Sequence, residues 1–372
     1  MLLTMAKRKI INDPVYDGFL SVDDPVILQV IEHPYFQRQR RIKQLGLTYL
    51  VYPGAMHTRF SHMLGALNLM GRALEVLKQK GVEISDEECR GAKLAILLHD
   101  IGHGPFSHTS ERVLVDVPHE EITLLMMQRI NQEMGGTLDI AIDIFANRYH
   151  KHFLHQLVSS QLDMDRLDYL GRDSFFTGVS EGIVGTDRII SMLNVHDDEL
   201  VIDEKGIYSV EKFIISRRLM YWQVYMHKTV IAADNLLLNI LRRAKEISVS
   251  PFTFHLSPFD LDRFAEVDDD DIMVAVKHWQ HSDDEILSTL CRNLVNRRLP
   301  AIRFSNEPFA DVHPSYFEGT GELHNRSYDF NDQEIKVLYK DGRCLPISEA
   351  SDQLDRHFLE KQVTKYFYYF PK

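Results

Sequence analysis

The stretch FSHMLGALNLMGRALEVLKQKG, residues 60–81, repeats its apolar side chains at helical spacing: Leu64, Leu67, Met70, Leu74 and Leu77 form one stripe, and Gly81 stops it. A stripe of that period has one face to bury, so this part of the chain must pack helix upon helix. Its neighbours read the same way. DPVILQVIEHPYFQRQRRIKQL (residues 24–45) is helical with Pro34 interrupting it. SDEECRGAKLAILLHDIG (85–102) starts at Ser85 as an N-cap with acids in its first turn. FLHQLVSSQLDMDRLDYLGRDS (153–174) is helical, with its acids late, and residues 210–246 predict one long helix, aromatic and basic in its middle. Between these two, LVIDEKGIYSV (200–210) predicts a hairpin turning at Gly206.

The character changes after residue 246. VDDDDIMVAVKHW (267–279) reads as a helix whose acidic run is a solvated cap, because the ligand spacing of a calcium loop is absent. AIRFS, EIKVLYKDGR and VTKYFYYF read as strands. The expected fold class is therefore mainly α: a helical bundle over residues 1–245 and a smaller α+β lobe over 246–372. The net charge of −12 argues against a general nucleic-acid binder, which would present a basic face. Three widely spaced cysteines, Cys89, Cys291 and Cys344, form no CxxC pair and read as reduced structural thiols. The N-terminus lacks the basic-then-apolar order of a signal peptide, and no apolar run is long enough to span a bilayer. Cytoplasmic location without membrane attachment is the expectation.

The chemistry concentrates in LLHDIGHGPFSHTSE, residues 97–111, where His99, Asp100, His103 and His108 fall within ten positions. Upstream, His62 opens the striped helix; downstream, Asp165 sits in LDMDRLDY. Each lies on a helix with an apolar opposite face, so the groups converge if those faces share a core. Two imidazoles and two carboxylates make a mixed N/O donor set for a divalent ion such as manganese, magnesium or iron, unlike the thiolate sets of structural zinc. Such an ion polarises a phosphoryl oxygen and acidifies water, while nearby Arg and Lys offset phosphate charge.

The ordered motifs RFSH, LLHDIGHGPFSH, DMDRLDYLGRD and YMHKT, between about Ile11 and Lys245, resemble the HD superfamily of metal-dependent phosphohydrolases. More narrowly they resemble its deoxynucleoside triphosphate triphosphohydrolases, the dGTPase-like branch that includes the mammalian sterile-alpha-motif HD enzyme. The resemblance implies His62, His99, Asp100 and Asp165 as metal ligands. It places Arg59 on a substrate phosphate, His103 and His108 facing the α-phosphate, and Glu111 with His119 as a carboxylate–imidazole relay. Arg166, Tyr169, Arg217, His227 and Lys228 fall among the substrate-binding residues, the first two on phosphates. Asp173 falls on the sugar 3′-hydroxyl. Gln44, Leu45 and Tyr225 fall at the sugar edge, where they would crowd a 2′-hydroxyl. Glu111 and Arg166 stand where the mammalian enzyme has Asp and Lys, which alters reach in one case and the shape of the charge in the other.

The resemblance also implies an activating nucleotide site at the N-terminal segment, carried by Lys9, Gln37 and Arg40, with Glu32 where the mammalian enzyme reads guanine with Asp. A deoxynucleotide other than a guanine one is the effector this favours; the alternative is that the segment only packs on the core. The implied activity is water attack at the α-phosphorus of a dNTP, releasing deoxynucleoside and triphosphate, in a homo-oligomer, dimer or tetramer. Residue chemistry alone serves a 5′-nucleotidase or phosphodiesterase equally, and a non-catalytic nucleotide-sensing oligomer is the reading from another class.

Overall fold

Capping groups cut the apolar periodicity into discrete helices in the computed structural model, which describes residues 8–16, 18–115, 117–252, 260–310, 312–326, 328–330 and 334–372. The side chains of His108 and Arg112 lie outside that description. A small antiparallel ribbon, β1 (Lys9–Asn12) and β2 (Phe19–Val22), precedes α1 (Pro25–Glu32). Asp24 caps α1 by accepting from Val26 N at 2.8 Å, and Pro25 takes its first position. Pro34 starts a new short helix, α2 (Pro34–Arg38), so the interruption read in the sequence divides the two.

The striped helix is α3 (Arg59–Gln79), and Gly81 beyond it has φ 88°. All five stripe residues are buried, but so are Ala66, Leu69 and Ala73 at 0% exposure. The helix is thus enclosed on several sides, packed on α4 (Asp86–Leu98) and, after α5 (His108–Leu114), α6 (His119–Glu133), α7 (Asp139–Phe145) and α8 (His152–Val158), on α9 (Met164–Thr177). The helical reading of residues 153–174 breaks between α8 and α9, where Asp163 restarts the helix by accepting from Arg166 N at 2.7 Å.

Glu88 closes the capping box of α4. Its carboxylate accepts from Ser85 N (2.8 Å), Lys151 (2.8 Å) and Tyr149 OH (3.0 Å). Burial pushes this carboxyl up, but Lys151, the Ser85 N–H and Tyr149 bring it down to about 2. A depressed carboxyl stabilises the fold above its unfolded value, about 4.3, and that stability is lost as pH falls toward 2. Glu88→Gln is expected to lose roughly 1.5–3 kcal/mol at pH 7, the worth of hydrogen bonds to a charged group. Its deficit should shrink below pH 4.5, which urea titrations at pH 7 and pH 3.5 would show.

After α10 (Thr186–Met192) comes a hairpin, but not the one expected. Its strands are β3 (Leu193–His196) and β4 (Glu199–Asp203), and its turn is Asp197–Asp198, both at positive φ (50° and 62°). Aspartates tolerate that conformation, which is why no glycine marks the turn. Gly206 serves close approach instead: a Cβ there would stand 2.5 Å from Ile202 Cγ2. Ile207 already begins α11 (Ile207–Met220). The long helix expected over 210–246 is likewise broken. A π-helical turn, Tyr221–Tyr225, ends α11, and α12 (Lys228–Glu246) restarts at His227, whose Nδ1 accepts from Thr229 N at 3.2 Å.

Three helices follow: α13 (Leu261–Glu266), α14 (Asp269–Trp279) and α15 (Glu285–Val295). Strands β5 (Ala301–Ser305) and β6 (Gly319–Arg326) flank β9 (Gln362–Phe370) in an antiparallel sheet. Strand β7 (Lys336–Leu338) pairs parallel with β4 and antiparallel with β8 (Cys344–Pro346), with α16 (Ile347–Ala350) and α17 (Arg356–Glu360) before β9. The fold is mainly α with small sheets, as expected. The acidic run is more than a solvated cap. Asp268 caps α14, but Asp269 has 0% exposure and accepts from Lys43 N (3.0 Å) and Phe106 N (2.7 Å). It thereby ties two loops beside the histidine run.

Candidate active site

The HD pair ends α4, where the chain turns through Gly102 and Gly104. A Cβ on Gly102 would stand 2.3 Å from both His119 O and Thr123 N, so glycine lets this turn lie flush on α6. Two further residues of the turn, Phe106 and Ser107, hold left-handed backbone at φ 53° and 49°. That strain is held from outside: Asp269 takes the Phe106 N–H, and Ser107 Oγ accepts from Arg59 at 2.7 and 3.1 Å. Buried α2 residues fix the same turn, with Arg38 donating to His103 O (2.9 Å).

Helices α3, α4 and α9 bring the four expected ligands together. His62 Nε2 lies 3.0 Å from Asp165 Oδ1 and 3.7 Å from Asp100 Oδ2. His99 Nε2 lies 3.3 Å from Asp165 Oδ1 and 3.5 Å from Asp100 Oδ1. The other ring nitrogens are committed: His62 Nδ1 to Asp168 Oδ2 and His99 Nδ1 to Ile96 O, each at 2.7 Å. A carbonyl only accepts, so the His99 proton is on Nδ1. Both Nε2 atoms are buried without a well-formed hydrogen bond. Two imidazole nitrogens and two carboxylates facing one another this way are a donor set that a divalent cation fits. His62, His99 and Asp100 offer ligand atoms all within 4.8 Å of one another.

The buried carboxylates make this cluster favour positive charge. Burial lowers the His62 imidazole, yet Asp165 and Asp168 raise it to about 10. Burial raises the Asp100 carboxyl, but His99, Arg59 and His103 hold it well below the ordinary range. Asp165 is likewise held below that range by His99 and His62 against the push of burial. The carboxylates are therefore ionised.

The other expected residues surround this cluster. Arg59 is buried and pairs with Asp100. His103 Nδ1 meets Glu111 Oε1 at 2.7 Å, and its Nε2 lies 3.4 Å from Asp100 Oδ1. His119 stacks on His103 with ring centroids 3.8 Å apart and stands 3.7 Å from Glu111. Glu111 thus sits closer to His103 than to His119, its expected relay partner. Burial and Arg59 push the His103 imidazole down, which favours its neutral form. The role expected for the His108 side chain lies outside the described residues.

Among the residues expected at a sugar, Asp173 Oδ2 accepts from Tyr225 OH and Oδ1 meets His57 Nε2, both at 2.7 Å. Tyr169 faces Tyr225 edge-on at 6.3 Å. Arg217 lies against Tyr221 with its Nε buried and unpaired, and Gln44 Oε1 is buried and unpaired too. Leu45 packs on the core beside Gln44. Arg166 is held by Asp163 at 3.1 Å. His227 caps α12 and Lys228 is exposed. The N-terminal residues form two pairs. Lys9 faces Glu32 at 3.8 Å, and both line a cavity of about 420 Å³ with Leu28 and Gln29. Arg40 donates to Gln37 Oε1 (2.9 Å) and lies 3.5 Å over the Phe60 ring.

Among the groups that escaped the sequence reading are His57, Ser107, Asp168 and Arg172. Asp168 had a visible signal, since it lies three residues after Asp165 and so on the same helix face. His57 and Ser107 had none, because their partners come from distant segments.

Comparison with known proteins agrees with this geometry. The HD domain profile matches residues 59–173, and that of the HD-associated region matches 184–308. The chain belongs to the HD-domain family. It is 46% identical to a phosphohydrolase from Bacteroides thetaiotaomicron of known crystal structure, with a TM-score of 0.94, covering 98% of this chain and 100% of that one. An uncharacterised protein of Bacillus subtilis, YwfO, is 34% identical over 99% of this chain and 93% of its own length. The human deoxynucleoside triphosphate triphosphohydrolase SAMHD1 is 29% identical over 64% of this chain, which spans only 45% of that enzyme. No helix among the described residues is long and apolar enough to cross a membrane.

Proposed function

We propose that the protein is a metal-dependent dNTP triphosphohydrolase that releases deoxynucleoside and intact triphosphate. The observation that carries this reading is the convergence of His62, His99, Asp100 and Asp165, with the two imidazole Nε2 atoms buried, turned toward the carboxylates and without a well-formed hydrogen bond. A divalent ion held there supplies Lewis-acid polarisation of a phosphoryl oxygen and a more acidic bound water. The rest is done by side chains. Arg59, Arg166 and Arg217 offer guanidinium groups to an extended polyphosphate, with Lys228 at the rim. A neutral His103, oriented by Glu111, is suited to move a proton at the reacting phosphate. Asp173, fixed by His57 and Tyr225, reads a sugar hydroxyl, while Gln44 and Leu45 with Tyr225 narrow the sugar edge against a 2′-hydroxyl. The likeness to an enzyme named for this activity supports the substrate class. The cavity at Lys9 and Glu32 is the proposed effector position, and assembly into a dimer or tetramer belongs to the same reading.

Each dNTP would be incubated with Mn²⁺ or Mg²⁺ and the phosphate product identified by ion chromatography. Triphosphate is expected, with rates rising sigmoidally in mixed dNTPs. Intact dNTPs beside release of orthophosphate from deoxynucleoside monophosphates would replace this reading by a 5′-nucleotidase. Turnover of cyclic dinucleotides instead would make it a phosphodiesterase. Assembly on dNTP without turnover would make it a sensor.

A further inference from the structure

We propose that the N-terminal segment positions the metal ligand His62 through Tyr16 and Asp13, so that metal affinity depends on how that segment is docked. This rests on the metal reading above. The link is Asp168, whose two oxygens are fully engaged. Oδ2 meets His62 Nδ1 (2.7 Å) and Arg172 Nε (2.8 Å); Oδ1 accepts from Tyr16 OH (2.5 Å) and Arg172 Nη2 (3.0 Å). Arg172 in turn forks onto Asp13, at 2.8 Å to Oδ2 and 3.2 Å to Oδ1. Asp13 also accepts from Val15 N (3.0 Å), the turn that aims Tyr16 inward.

Each part of this arrangement has a physical consequence. His62, Asp168 and Arg172 are at 0% exposure and Asp13 at 7%, so water does not replace a lost partner. Burial and Asp168 hold the Tyr16 hydroxyl well above the usual tyrosine range, which keeps it a donor. The network lies flush on α3: a Cβ on Gly65 would stand 2.0 Å from Asp168 Oδ1 and 2.2 Å from Arg172 Nη2. Gly65 follows His62 by three residues, so the ligand and its support meet on one face of α3. Asp13 shares the Arg172 charge. Without it the guanidinium turns wholly to Asp168 and weakens that carboxylate as the acceptor that fixes the His62 ring. Without the Tyr16 hydroxyl, Oδ1 loses its shortest bond and the carboxylate is free to tilt. Tyr16 and Asp13 are positioning residues, because they act on the ligand only through Asp168. The β1–β2 ribbon beside them buries Leu20 and Val22 in the core and leaves Ile10 and Phe19 on its outer face, 56% and 69% exposed.

The test is Mn²⁺ titration of the metal-free full-length protein by calorimetry, with its unfolding midpoint recorded for each variant. Tyr16→Phe, which keeps the ring, is expected to weaken Mn²⁺ binding about 10-fold, and Asp13→Asn by a similar factor, within the range of outer-shell ligand partners. Asp168→Asn sets the upper end, about 100-fold. Affinities of Tyr16→Phe and Asp13→Asn within twofold of the native protein would overturn the proposal, whatever happens to their unfolding midpoints. If Asp13→Asn fails to fold, Tyr16→Phe decides alone. Failure of the native protein itself to bind Mn²⁺ would remove the metal reading and this proposal with it, an outcome distinct from equal binding by all forms.

Discussion

Asp100→Ala is expected to abolish turnover, with a fall of about 10³-fold or more. A bound ion contributes several kcal/mol of transition-state stabilisation, and each 1.4 kcal/mol or so is tenfold in rate. Asp100 is the carboxylate with most to lose. It stands 3.7 Å from His62, 3.5 Å from His99 and 3.4 Å from His103, and it pairs with the buried Arg59. Its removal takes a carboxylate from the cluster and leaves the buried Arg59 guanidinium without its anion. Asp100→Asn keeps the shape and loses the charge, so it should fall nearly as far, which separates electrostatics from packing. Steady-state rates on dNTPs with Mn²⁺, beside the metal content of each purified protein, provide the check. Either variant working within tenfold of the native protein would place the chemistry elsewhere.

The parts of the fold that were legible in the sequence are those whose cause is local. The α3 stripe, the Ser85 cap, the Gly81 stop and the Pro34 break each depend on residues within one or two turns, and each stands where the sequence puts it. The breaks that were missed have the same local kind of cause but weaker signs. Asp197 and Asp198 make a turn that glycine usually makes, and the π-helical turn before His227 leaves the apolar spacing nearly unbroken. For the site, residue types and motif order named side chains that do converge, because His62, His99, Asp100 and Asp165 lie near helix ends within strong surrounding patterns. The support for those side chains was not legible. Asp269 and Arg172 bond to groups far away in sequence, Lys43, Phe106 and Asp13, and such pairings exist only once the chain is folded. An acidic run looks solvated until one of its members is found at 0% exposure.

Arg172→Met is expected to be the most destabilising single substitution in the support of the site, by about 3–5 kcal/mol at neutral pH, the usual consequence of breaking a buried ion pair from one side. Arg172 forks onto two carboxylates at once, Asp13 and Asp168, and all three are buried. Methionine fills the volume and returns some apolar burial, worth less than two stranded charges. Lysine keeps the charge but lacks the planar set of donors, so Arg172→Lys should fall between. The pH dependence gives the sign. Burial raises the Asp168 carboxyl, but Arg172 and His62 hold it at about 2. That stabilisation is present above the ordinary aspartate value, about 3.9, and is lost as pH falls toward 2. Without Arg172 the stranded carboxyls take up protons at higher pH and become neutral, which relieves their burial. The deficit of Arg172→Met should therefore be largest at pH 7 to 8 and narrow toward pH 4.5, where the native protein still has its pairs ionised. Denaturant midpoints of the metal-free proteins across that range decide it. A variant as stable as the native protein at pH 7 would mean that these charges are relieved by water or by movement of the N-terminal segment, and it would take the rigid support of His62 with it.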